Sequence, residues 1–188
     1  SGTALATGSK TYNAQIGTGP DGKNLVDLAE IAKKAGKAVG LVTTDMVVGA
    51  TPATFALHQG SRFTFRTLAE EYLEKKPDLL LGGGREWFLK NGSNPDLLEQ
   101  AKKEGYAVLL DSSQFNSWQE TLPAIGLFSD AEMTFELDRK DDSTEPHLYQ
   151  MTEKALDSLS KDPDGFFLMV EGARIDHASH LGDFNRML

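Results

Sequence analysis

Residues Gly165 to Val170 (GFFLMV) form a short, unbroken apolar run between Pro163 and Gly172, which suits a strand buried on both faces of a sheet. Such a strand needs a layer of structure against each face, so it narrows the fold more than any other feature of the chain. A second run, Ala38 to Thr43, reads as a strand, and Asp78 to Leu81, Ala107 to Leu110 and Ala124 to Phe128 as shorter ones. Helical spacing appears between them. Asn24 to Lys37 reads as an amphipathic helix with Leu25, Leu28, Ile31 and Ala32 inside, and Leu148 to Ser160 carries Leu148, Met151, Ala155 and Leu159 on one face. Phe65 to Lys75 and Pro95 to Glu104 add two more helices. This alternation predicts an α/β fold: a three-layer α/β/α sandwich around a central, mostly parallel sheet. A chain of 188 residues with 39% hydrophobic content can bury one sizeable core, so residues 1–188 are expected to form one unit. Gly17 to Lys23 and Asp138 to Pro146, rich in turn-forming and charged residues, read as irregular segments, the second as a surface loop.

Glu171 follows the apolar run directly, and open α/β sheets place their ligands just outside the carboxyl ends of strands. Asp176 and His180 are four positions apart, so a helix beginning after Ile175 puts both on one face. Carboxylate oxygen and imidazole nitrogen are good zinc ligands, and two from one turn supply half of a tetrahedral set without closing it. The same spacing also fits Asp176 as a helix cap with His177 and His180 at the surface.

The segment at 49–62, GATPATFALHQGSR, places Pro52 as the first residue of a helix with Thr51 as its cap, and ends on Arg62. Together with the opening SGTALATGSKTYNAQIG and the later HLYQMTEKALDSLSKDPDGFFLMVEGARIDHASH, these motifs in this order closely resemble the alkaline phosphatase family along the whole chain. The resemblance implies hydrolysis of small phosphate monoesters through a phosphoserine intermediate, at a site with two Zn2+ ions and one Mg2+ ion. It also implies a homodimer and a periplasmic or secreted location. By that resemblance Thr51 and Glu171 are ligands of the magnesium, where a hydroxyl oxygen suits a hard octahedral ion, and Asp176 and His180 bind one of the zinc ions. Arg62 resembles the family's phosphate-binding arginine, whose planar fork can donate two parallel hydrogen bonds. His177 is expected to touch the phosphate or magnesium-bound water indirectly.

The departures are equally specific. The family's nucleophilic serine belongs to an Asp-Ser-Ala sequence just before the Gly-Thr-Ala segment, and the chain begins at Ser1, three positions too late. Ser1, followed by Gly2, is expected to pack or cap near the start of the nucleophile's helix. An early aspartate, a downstream Asp-His pair and a distant histidine that the family uses for zinc are not found, and only Leu181 to Leu188 follow His180. The expectation is therefore an internal fragment, with an incomplete sandwich and little or no turnover of its own. Gly49 stands where relatives commonly place an aspartate or histidine near the magnesium site. The alternatives are a related metal-dependent phosphodiesterase or sulfatase, or a non-catalytic domain that binds metal or another protein.

A net charge of -9 argues against a nucleic-acid partner, which needs a concentrated basic surface. It leaves room for small phosphates, since metal ions and one arginine can attract an anion within an acidic surface. The absence of cysteine removes thiolate zinc sites, disulfides and a thiol nucleophile. No apolar run is long enough to span a bilayer, so no membrane partner is expected. Gly82 to Gly84 lack the spacing and the Lys-Ser/Thr ending of a nucleotide-binding loop, and read as a tight turn after a strand.

Overall fold

In the computed structural model, which describes residues 1–187, helix α1 (Gly2–Thr7) leads through irregular chain to α2 (Leu28–Lys34) and strand β1 (Ala38–Met46). There follow α3 (Ala50–Thr54), α4 (Phe65–Lys75), β2 (Leu79–Gly83), α5 (Leu97–Lys103), β3 (Ala107–Leu109), α6 (Ser112–Ser117) and β4 (Ala124–Leu127). The chain continues through α7 (Leu148–Leu159), β5 (Phe166–Glu171), α8 (Ala173–Leu181) and α9 (Phe184–Met187). The strands form a five-stranded sheet in the order β3-β4-β2-β1-β5, and every neighbouring pair is parallel.

Alternate residues of each strand point to opposite faces, and both faces are covered. On one, Val39, Leu41, Leu80, Ile125 and Met169 pack with Ala29 and Ala32 of α2, Leu68 and Tyr72 of α4, and Ala101 of α5. On the other, Ala38, Val42, Leu79 and Leu81 meet Phe115 of α6 and Met151, Ala155 and Leu159 of α7. The result is the α/β/α sandwich that the sequence predicts. Tyr72 is fully buried, and its hydroxyl donates to the Val47 carbonyl at 2.9 Å, so the polar tip of this fully buried aromatic is satisfied. Among the described residues no helix is long and apolar enough to cross a membrane.

Two expectations need correction. Helix α2 is shorter than Asn24 to Lys37 and is rotated from the expected face: Ala32 is buried as expected, but its inner neighbour is Ala29, while Leu28 and Ile31 are 38% and 52% exposed. Asp27 decides this. Its carboxylate caps the helix by accepting from the Glu30 N–H at 2.8 Å, which fixes where the first turn begins, and the two alanines then let the helix lie close against the sheet. Gly36, at φ 76°, supplies the left-handed residue that ends the segment. The second correction concerns β5, which is not buried on both faces along its length. It lies at the edge of the sheet with β1 as its neighbour, and Val170 is 42% exposed.

The glycine run is a turn only at its end, since Gly82 and Gly83 are the last residues of β2 and Gly84 alone leaves the strand. A Cβ at Gly83 would fall 2.1 Å from the Ala131 carbonyl oxygen, and Gly84 has φ 89°, so close backbone approach requires the first glycine and a left-handed backbone the second. Arg85 pairs with Asp130 at 2.7 Å. Helix α6 has no counterpart among the expected elements; Asp111 caps it by accepting from Gln114 N at 2.8 Å.

Candidate metal centre

Because β1 and β5 are parallel neighbours, their carboxyl ends emerge side by side, with Thr43 paired to Glu171 at the last rung. A cavity of about 760 Å³ is lined by Thr51, Arg62, Glu171, Asp176, His177 and His180. Residues far apart in sequence therefore share one wall, as the metal-site reading requires. None of residues 17–23 or 138–146 takes part in the lining.

Each side chain reaches the cavity for a local reason. Glu171 is held at the strand end by the Thr43 hydroxyl, which donates to its Oε2 at 2.7 Å. Thr51 does not cap α3. The N-cap is Gly49, so Thr51 is the second helical residue, with its side chain on the cavity wall. Helix α8 likewise begins after Gly172, so Asp176 is an interior residue and the capping alternative for it falls. Asp176 Oδ2 and His180 Nε2 lie 3.6 Å apart, with side chains 74% and 81% exposed. An ion pair that open to water contributes little. Two ligands with bonds of about 2.0 to 2.1 Å to a tetrahedral zinc would sit roughly 3.4 Å apart, close to the spacing observed.

Arg62 is exposed; its backbone N–H donates to the Ala14 carbonyl at 2.6 Å, which ties the segment before α4 to the opening loop. His177 Nδ1 lies 2.9 Å from Arg174 Nη1, and since a guanidinium can only donate, Nδ1 is the acceptor. Arg174 in turn stacks on Phe135 at 3.7 Å from the ring centroid. Ser1 also lines the cavity and occupies the N-cap position of α1, although its side chain makes no capping bond.

Asp45, which the sequence reading passed over, lines the same cavity and is 8% exposed. Burial raises its carboxyl above the usual range, against the Met46 N–H bond that favours the charged form. The signal available in sequence was an acidic residue closing an otherwise apolar and hydroxylic strand, at the end where ligands collect.

A second acidic and histidine group lies outside the cavity lining. Donor atoms of Asp27, Glu30 and His58 come within 4.8 Å of one another, a grouping that could hold a metal ion. Its charges are already matched within the protein. His58 Nε2 is 2.7 Å from the Leu25 carbonyl and 3.5 Å from Asp27 Oδ2, Glu30 accepts from Lys75 at 2.9 Å, and Glu71 lies 3.8 Å from His58 Nδ1. The Glu71 carboxylate raises the His58 pKa above its ordinary 6.5 in spite of burial. Burial pushes Asp27 up to about 6. Both groups hold protons more tightly when folded, so their contribution is full at low pH and is lost as pH rises through the folded values. The Asp27 contribution is lost by about pH 6, and that of His58 as pH rises above 6.5, so the thermal midpoint should fall on the alkaline side of pH 6.5 and His58→Gln should flatten that fall; equal slopes in the two proteins would show that the imidazole does not carry the effect.

The family model described as alkaline phosphatase matches residues 1–188. The chain belongs to the alkaline phosphatase family. It is similar to alkaline phosphatase 4 of Bacillus subtilis (strain 168), with 40% identity over 188 residues, covering 97% of this chain and 40% of the relative. The crystal structure of Thermus thermophilus alkaline phosphatase superposes with a TM-score of 0.93 at 36% identity, covering 99% of this chain and 40% of that one. A histidine-to-aspartate variant of the alkaline phosphatase from the Antarctic bacterium TAB5, with Mg bound in its M3 site, gives a TM-score of 0.85 at 30% identity, with 99% of this chain and 53% of that chain covered. The chain thus spans about 40% of the length of the B. subtilis relative.

Proposed function

We propose that residues 1–188 form part of one alkaline phosphatase domain and contribute about half of a site that hydrolyses small phosphate monoesters through a phosphoserine. The observation that carries this reading is the convergence of Thr51, Arg62, Glu171, Asp176 and His180 on one cavity at the end of a parallel strand pair. Donor chemistry supports two kinds of ion. Thr51 and Glu171 offer hard oxygens, as Mg2+ prefers. Asp176 and His180 offer a carboxylate and an imidazole one turn apart, as Zn2+ prefers, and the full site would hold two zinc ions. When bound, such ions supply Lewis-acid stabilisation of the attacking and leaving oxygens.

The chain's own residues then have distinct tasks. Arg62 donates its guanidinium fork to two phosphoryl oxygens and orients the group for in-line attack. Thr43 keeps the Glu171 carboxylate aimed by its hydrogen bond. Arg174 fixes His177 through Nδ1, so that this imidazole meets phosphate or bound water in one orientation. The nucleophile comes from an Asp-Ser-Ala sequence, which does not occur within residues 1–188. By family likeness the protein works as a homodimer in the periplasm or outside the cell. Neither a nucleic acid nor a membrane is proposed as a partner.

The test compares phosphate monoester, phosphate diester and sulfate ester turnover by the full-length protein. Monoester hydrolysis should dominate, vanish with chelator and return with zinc and magnesium, while a polypeptide of residues 1–188 alone should give no turnover. Preference for the diester or the sulfate, or indifference to chelation, would refute the reading.

A further inference from the structure

Gly49 has φ -61° and ψ 163°, backbone angles open to any residue, so conformation does not demand a glycine there. Space does. A Cβ at this position would lie 2.2 Å from Asp45 Oδ2 and 2.8 Å from Asp45 Cγ. The Asp45 carboxylate therefore occupies the place from which a side chain at 49 would project.

The strand explains how it gets there. Val42 pairs with Leu81 and Met46 with Gly83, so three residues of β1 face the single Gly82 of β2, and the register breaks in a bulge. Bulges re-aim side chains and collect beside active sites. Within this one Asp45 N donates to Thr43 Oγ1 at 2.9 Å, and the same hydroxyl donates to Glu171 Oε2 at 2.7 Å. Asp45 Oδ1 accepts from the Met46 N–H at 2.8 Å. One threonine thus links the backbone of Asp45 to the carboxylate of Glu171, and both acids line the cavity with Thr51.

We propose that Asp45, through Oδ2, is the further carboxylate ligand of the cation held by Thr51 and Glu171, in the place that position 49 leaves open. The proposal rests on the reading of Thr51 and Glu171 as cation ligands. Two carboxylates and a neutral hydroxyl balance a divalent charge and leave positions for water, as Mg2+ favours. It also gives Gly49 a purpose: any larger residue would evict the ligand.

The test measures Mg2+ binding to the full-length protein by calorimetry, with zinc content determined in parallel. Asp45→Asn keeps the size and the Met46 contact, and should weaken Mg2+ binding by about 10- to 100-fold with zinc retained. Gly49→Asp alone should collide with Asp45 and lose Mg2+. In the double variant Asp45→Ala/Gly49→Asp the Asp45 obstruction is gone, but the Met46 backbone carbonyl, whose oxygen lies 2.8 Å from the added Cβ, must also shift, so Mg2+ binding should return in part. Glu171→Gln separates the two levels of inference. If it leaves Mg2+ binding intact, the underlying cation site is wrong. If it abolishes binding while Asp45→Asn matches the wild type, only the role of Asp45 is overturned. Should Asp45→Asn fail to fold, the double variant decides: Mg2+ recovered supports the proposal, and a folded protein without Mg2+ sinks it.

Discussion

His180→Ala in the full-length protein should lower kcat/KM for a phosphate monoester by about 10³-fold, with loss of one zinc ion. His180 and Asp176 present a carboxylate and an imidazole one turn apart on the cavity side of α8, and both side chains are largely open to solvent, so the substitution should leave the fold intact. Removing the imidazole leaves one carboxylate, which does not hold zinc against water. The stabilisation forfeited is about 4 kcal/mol of transition-state charge, and at 1.36 kcal/mol per decade that is the thousandfold fall. Kinetics and metal analysis on the same preparation check the claim together. A variant that keeps both its zinc and its turnover would remove Asp176 and His180 from the site.

Arg62→Ala should be the next most damaging change, with kcat/KM down about 10²-fold and inorganic phosphate binding weakened alongside, as expected when a positioned donor to a developing charge is lost. Because the side chain is exposed, the thermal midpoint should stay near that of the wild type. Arg62→Lys is the informative companion. Lysine restores the charge without the two parallel donors, so it should recover only a small part of the loss. Full recovery by lysine would mean that Arg62 acts as a distant point charge and does not grip the phosphoryl group.

Much of the architecture was legible in the residue pattern because strands covered on both faces advertise themselves. The runs at Ala38 and Leu79 and the periodicity at Met151, Ala155 and Leu159 gave elements within a few residues of those observed. Helix α2 misled for a physical reason. Leucine and isoleucine at helical spacing suggest the inner face, but Asp27 starts the helix only at Leu28, and Ala29, weak as a hydrophobic signal, packs inward beside the expected Ala32 in place of Leu28 and Ile31. The burial of β5 was overestimated because an apolar run does not reveal a strand's place in the sheet. At the cavity, Thr51, Arg62, Glu171, Asp176 and His180 could be picked out because each sits in a motif. Asp45 could not, since its position depends on a register break that no periodicity shows. The His58 network was equally hidden, its partners at Leu25, Asp27 and Glu71 being brought together only by tertiary packing.

The pairing of Thr43 with Glu171 ties the aim of the Glu171 carboxylate to strand alignment. Sliding β5 by a single residue would turn the glutamate to the opposite side of the sheet and break its link to the threonine in the same movement. A polypeptide that has mispaired these strands would not place Glu171 beside Thr51 in the cavity.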